Sequence, residues 1–184
     1  GSWDNYAASV ARYNTDGSLD TAGFGNPDCY IIDADLDDPQ AMALQNGKIV
    51  VAGGALVGSY YQFAMLRFNA DGSLDGTFGD TGLVTTPVGE AAANAEAYSI
   101  ALADDGIVLG GHVSIYPDAW MALARYTADG SLDTTFGSPD GYVLTEIGTS
   151  PYPYGLAIDD DGKIVAAGGN GSSPSEYFVA RYLP

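Results

Sequence analysis

Carboxylates are the side chains with most chemistry to offer in this sequence, 20 Asp and 4 Glu standing against only six basic residues. Their densest arrangement recurs three times as Asp-Gly-Ser-Leu-Asp, at 16–20, 71–75 and 129–133. Within the first copy, Asn14, Asp16, Ser18 and Asp20 alternate like the oxygen ligands of a calcium loop. Such a loop opens on a carboxylate and closes on a Glu. Here Arg12, Arg67 or Arg125 holds the opening position, and no Glu follows. The pattern therefore reads as a turn in which the Arg pairs with an Asp and an aspartate fixes its own backbone, while Leu19, Leu74 or Leu132 plugs the space between repeats. No metal and no cofactor is expected.

Other catalytic constellations are thin. His112 is the only histidine and Cys29 the only cysteine; nothing in the sequence brings the two together, and no Gly-x-Ser-x-Gly elbow is present. Cys29 stands where the other repeats carry Gly82 and Gly141, which reads as a small buried side chain. A pair of carboxylates for glycoside cleavage should break the repeat pattern, and Asp118, Glu146 and Glu176 do so, as solvated loop charges also would. No catalytic residue is assigned. The aromatic residues of the variable loops offer binding chemistry instead: Tyr60, Tyr61, Tyr116, Trp120, Tyr152 and Tyr154. Exposed aromatics suit sugar rings or a protein hot spot, and these six are the candidate ligand-binding residues.

The elements that must position them belong to a repeat. Each Asp-Gly-Ser-Leu-Asp follows an Arg-aromatic pair (Arg12-Tyr13, Arg67-Phe68, Arg125-Tyr126) and precedes a Phe-Gly (Phe24-Gly25, Phe78-Gly79, Phe136-Gly137). A further pair, Arg181-Tyr182, comes near the C-terminal end. The repeats run from about 14 to 68, 69 to 126 and 127 to 182 within a single domain, 1–184, with an extra strand over 6–13. Composition agrees with an all-β chain: 46% hydrophobic and 16% charged residues, with 25 Gly, 9 Pro and 13 Tyr for tight turns and aromatic-rich strands. A net charge of -18 repels phosphate backbones, so nucleic acid is excluded as a partner. No apolar run reaches the ~18 residues of a membrane span, and no membrane insertion is expected.

Four short strands read out of each repeat. The first is 29–33, 82–86 or 141–145; the second 41–44, 99–102 or 155–158; the third 49–54, 107–111 or 164–169, ending in paired glycines that permit close backbone approach. The fourth is 8–13, 63–68, 121–126 or 177–182. Asn-Gly or Asp-Gly joins the second to the third as a tight hairpin. The third is an unbroken apolar run and the fourth is apolar on both faces until its Arg, so both sheet faces are covered. Three four-stranded antiparallel propeller-type blades follow, although a β-trefoil or β-prism also uses three units of four strands.

The run Asn-Thr-Asp-Gly-Ser-Leu-Asp then Phe-Gly, with Asn-Gly-Lys-Ile-Val-Val-Ala-Gly-Gly and Ala-Met-Leu-Arg-Phe-Asn, resembles the bacterial delta-sixty repeat over nearly the whole chain. The resemblance implies propeller-like blades in exported or cell-surface bacterial proteins and carries no family catalytic residues. Together with the residues it points to a non-catalytic interaction or adhesion module binding a protein or glycan, with a carbohydrate-active enzyme or lectin as the alternative. The loops leaving the first and third strands differ between repeats and share one end of the sheets, which is the end for function. Strands able to pair in trans at both ends predict a homodimer whose six blades close one ring.

Overall fold

A computed structural model describes residues 7–25, 28, 30–90, 92–103, 106–171 and 176–183. Cys29 and the Asp104-Asp105 turn lie outside the described residues, as does the start of the expected 6–13 strand. The described chain is all strand and turn, with no helix, and so none long and apolar enough to cross a membrane. Its strands are β1 (Ala8–Ala11), β2 (Tyr30–Asp33), β3 (Asp38–Gln45), β4 (Lys48–Val57), β5 (Tyr60–Phe68), β6 (Leu83–Thr86), β7 (Asn94–Ala103), β8 (Gly106–Ile115), β9 (Asp118–Thr127), β10 (Tyr142–Thr145), β11 (Pro151–Ile158), β12 (Ile164–Asn170) and β13 (Glu176–Tyr182).

These strands form four antiparallel sheets: β1-β2, β3-β4-β5-β6, β7-β8-β9-β10 and β11-β12-β13. None closes on itself. Each four-stranded sheet straddles two sequence repeats, because the strand after an Asp-Gly-Ser-Leu-Asp loop pairs back onto the strand before it, as β6 pairs with β5 and β10 with β9. The hairpin at Asn46-Gly47 has positive φ at both residues, 50° and 80°, the twist that a two-residue turn needs.

Strands β3, β7 and β11 reach beyond the segments 41–44, 99–102 and 155–158 that the pattern marks, starting three to five residues earlier. A β-bulge makes this possible, breaking the register between Pro39 and Ala41, between Ala97 and Ser99, and between Tyr152 and Gly155. Opposite each bulge sits one glycine of a pair, Gly53, Gly111 or Gly168. A Cβ there would stand 1.9, 2.2 or 2.0 Å from the carbonyl oxygen of Asp38, Glu96 or Tyr152. The paired glycines are thus required by contact with backbone, and they are what lets each of these strands run on to the variable end.

The sheets stack face to face around three apolar layers. Val10, Phe24, Leu36, Val51 and Leu66 fill the first, Phe63, Met65, Phe78, Leu109 and Tyr126 the second, and Val108, Leu123, Phe136 and Ile164 the third. Strands β3, β7 and β11 lie side by side along one edge of the stack. The plug between successive sheets is phenylalanine rather than the expected leucine: Phe24 and Phe78 are fully buried, whereas Leu74 is exposed and Leu19 and Leu132 half-buried. The leucines bridge back to Tyr13, Phe68 and Tyr126 of their own sheets. The phenylalanine rings instead reach the glycine of the next loop, Phe24 beneath Gly72 and Phe78 beneath Gly130.

A guanidinium covers each ring, with Arg12, Arg67 and Arg125 lying 5.0, 4.3 and 5.0 Å from the centroids of Phe24, Phe78 and Phe136. The expected Arg–Asp pairs are present at 2.7 Å for Arg12–Asp20, Arg67–Asp75 and Arg125–Asp133. Two of these arginines also latch one sheet to the next, Arg12 donating to the Ala70 carbonyl and Arg67 to the Ala128 carbonyl.

The loop aspartates turn onto their own backbone: Asp16 accepts from the Ser18 N–H at 2.9 Å, Asp71 from Ser73 at 2.9 Å and Asp129 from Ser131 at 3.1 Å. Hydrogen bonds from Ser18, Ser73 and Thr127 hold these three carboxyls below the usual range, as Arg12 does for Asp20, Lys48 for Asp75 and Thr135 for Asp133. A carboxyl depressed in the folded state adds stability that is complete above its unfolded pKa of about 4 and lost as pH falls through the folded value. The thermal midpoint should therefore drop steeply below pH ~4. A midpoint unchanged in stronger acid would show that these pairs do not support the fold.

Candidate functional site

The uniform and variable ends predicted from the loops are distinct in the structure. At the uniform end Lys48 Nζ meets Asp75 at 2.6 Å and Arg67 donates to Gln45 Oε1 at 2.8 Å, tying an Asp-Gly-Ser-Leu-Asp loop to the Asn-Gly hairpin. At the other end the Tyr61 N–H donates to Asn94 Oδ1 at 3.0 Å, and Asn170 Oδ1 accepts from the N–H groups of Thr149 and Ser150. The first bond crosses between two sheets and the other two tie the loop before β11 to the end of β12, so the variable rim is a structured surface.

Two groups of side chains gather on that rim. The first is a cavity of about 280 Å3 lined by Pro117, Asp118, Ala119, Trp120, Glu146, Gly148 and Thr149. Trp120 lies in β9 rather than in the loop before it, and the β9 end brings Asp118 beside the Glu146–Thr149 loop. Asp118 and Glu146, which the sequence marks only as breaks in the repeat, therefore line one cavity with an indole. An indole and two carboxylate acceptors lining one cavity are the chemistry that recognises a hydroxyl-bearing ring.

The second group is an aromatic ladder. Tyr152 stacks on His112 with centroids 4.6 Å apart and 11° between planes; Tyr98 meets Tyr152 edge-on at 5.3 Å and Tyr154 edge-on at 6.0 Å. The Tyr98 hydroxyl donates to Glu96 at 2.9 Å, and the Glu96 stem lies with Tyr61 around Gly54. Burial, with the Glu96 charge beside it, pushes the Tyr98 phenol well up. Burial and then the Asp37, Glu96 and Asp38 charges raise Tyr61 likewise. His112 Nδ1 lies 3.0 Å from the Pro151 carbonyl oxygen, which can only accept, so Nδ1 carries the proton. The histidine is thereby committed to the ladder.

Of the six residues singled out from the sequence, Tyr152 and Tyr154 come together, Tyr61 joins them through Glu96, and Trp120 lines the separate cavity. Tyr116 is almost wholly exposed and Tyr60 partly so, and neither belongs to these groups. Tyr60 and Tyr61 start β5, and Tyr152 and Tyr154 lie within β11, where the sequence places all four in loops. Glu96, Tyr98 and His112 go unassigned as binding residues in the sequence. The alternation Ala95, Glu96, Ala97, Tyr98, Ser99 along β7 is the signal that could have placed Glu96 and Tyr98 on one face.

Three segments of the chain, 2–22, 44–78 and 103–136, match the model of a family described as a domain of unknown function (DUF5122), beta-propeller. The chain is similar to a β-propeller-like repeat family. The matched segments amount to just under half of its length. Each takes in one Arg-aromatic pair and the Asp-Gly-Ser-Leu-Asp loop after it, the propeller-like parts that recur in all three repeats. The cavity residues Asp118 and Trp120 fall within a matched segment, whereas Glu146, Thr149, Tyr152 and Tyr154 fall outside all three. No curated protein matches the chain.

Proposed function

We propose that the chain is a non-catalytic interaction module of an exported or cell-surface bacterial repeat protein, built of delta-sixty-type propeller blades, and that its variable rim binds a glycan. The observation that carries this reading is the cavity in which Trp120, Asp118, Glu146 and Thr149 converge. An indole face takes the apolar C–H side of a sugar ring, and carboxylates accept its hydroxyl hydrogens. The resemblance to delta-sixty repeats supports an exported setting, and the propeller-like family match supports blades that leave one rim free for a ligand.

A glycan array with the purified chain should return one class of sugar. Trp120→Ala and Glu146→Gln should each weaken its affinity by about tenfold or more, about 1.4 kcal/mol. Binding of proteins alone, with no glycan retained, would reject the sugar reading. A second reading, a carbohydrate-active enzyme, draws on the two carboxylates of the same cavity. Release of new reducing ends from the bound glycan, lost in Glu146→Gln, would establish that reading over the first.

A further inference from the structure

The repeats provide an internal standard for what each position of a sheet looks like when covered. Met65 and Leu123, at matching positions of β5 and β9, are fully buried; the corresponding Val179 of β13 is 76% exposed. Phe63 and Met121 are fully buried too, and the corresponding Tyr177 is 91% exposed. Strands β5 and β9 each carry an outer strand, β6 and β10, while β13 pairs with β12 alone among the described residues.

The opposite end of the stack has the complementary deficit. Ile100 and Leu102 of β7 pack on the preceding sheet, as Leu156 and Ile158 of β11 do. The matching Met42 and Leu44 of β3 are 60% and 64% exposed, because the sheet before them has two strands, β1 and β2, among the described residues. Those two strands pair in the register seen elsewhere: Val10 opposes Ile31 as Met65 opposes Val84 and Leu123 opposes Val143. Strand β1 is thus the short counterpart of β13.

We propose that two copies of this chain associate by strand exchange, β13 of one copy displacing β1 of the other and pairing with its β2. In that register Val179 opposes Ile31 of the second copy and Tyr177 opposes Asp33. Val179 then takes the place of Val10, and Tyr177 that of the smaller Ala8, both in the first apolar layer. Val165 and Ala167 of β12 come over Met42 and Leu44, as Val50 and Ala52 of β4 share an apolar layer with Ile100 and Leu102. Exchange therefore buries four exposed apolar side chains and completes a four-stranded sheet, at the cost of releasing the four-residue β1. Done reciprocally, it leaves each copy with three complete sheets. The occupant is a second copy because the chain itself carries both the acceptor strand and the matching apolar surface.

Light scattering at physiological ionic strength, where the -18 charges are screened, should give twice the 19.0 kDa chain mass. Val179→Asp and Met42→Asp, both at exposed positions, should each give a monomer with unchanged circular dichroism. The register is tested with Val179→Cys and Ile31→Cys in one chain that also carries Cys29→Ser. Directly opposed strand positions are within disulfide reach, so oxidation should yield a covalent dimer. A wild-type mass of one chain, an effect of only one of the two Asp variants, or absence of the covalent dimer would overturn the proposal.

Discussion

Replacing Arg67 by Ala is expected to cost about 3 kcal/mol of stability, the largest loss among the repeat arginines. Its side chain is 9% exposed, against 25% for Arg125 and 37% for Arg12. It donates to Asp75 at 2.7 Å, to Gln45 at 2.8 Å and to the Ala128 carbonyl at 2.7 Å, and it lies over Phe78. Truncation would take one of two cations from the buried Asp75, leave Gln45 and the Ala128 carbonyl without this donor, and cut the latch to the next sheet. Lys48, at 2.6 Å from Asp75, still compensates that carboxylate, which keeps the loss at the lower end for a broken buried pair. Arg12→Ala removes the same pair where water replaces it, and should cost below ~1 kcal/mol. Urea denaturation of the two variants checks the ranking; equal midpoints would mean that burial of the Arg–Asp pair does not set the cost of losing it.

Gly111→Ala is expected to be at least as damaging, by about 3 kcal/mol or more. The new methyl would lie 2.2 Å from the Glu96 carbonyl oxygen and 2.4 Å from Phe63 Cζ, one a backbone atom and the other the tip of a fully buried ring. Neither can move without shifting the bulge that carries Glu96 and Tyr98 to the rim. Gly155→Ala is the matched control, since its methyl would find nothing nearer than 3.9 Å, and a change within ~0.5 kcal/mol is expected. Thermal denaturation that ranks the two variants alike would rule out close approach as the reason for the paired glycines.

Strand positions were legible because they depend on local pattern. The apolar runs Ile49–Gly54 and Ile107–Gly111, bounded by Asn-Gly and Asp-Gly, mark β4 and β8 to within a few residues at the N-terminal side. The Arg–Asp pair was legible as well, its two members being eight residues apart in every copy. The early part of β7 was not, because Glu96 and Tyr98 are polar and the strand passes through a bulge that only the partner glycine reveals. Phe78 could not be told from Leu74 as the inter-sheet plug: one follows the loop that contains the other, and which one reaches Gly130 depends on how the next sheet docks. The same limit applies to the rim. Asp118, Trp120 and Glu146 belong to two different segments, and only the docking of the Glu146–Thr149 loop onto β9 makes them one cavity.

The rim cavity is tested most directly at Trp120 itself. The chain has two tryptophans, Trp3 and Trp120, so a 15N spectrum holds two indole N–H signals, and Trp120→Phe assigns the second. On titration with the glycan selected by the array, the Trp120 indole signal should shift in a saturable manner while the Trp3 signal stays in place, and Glu146→Gln should weaken the response. Saturable glycan binding that leaves the Trp120 indole unmoved would contradict the assignment of this cavity as the ligand site.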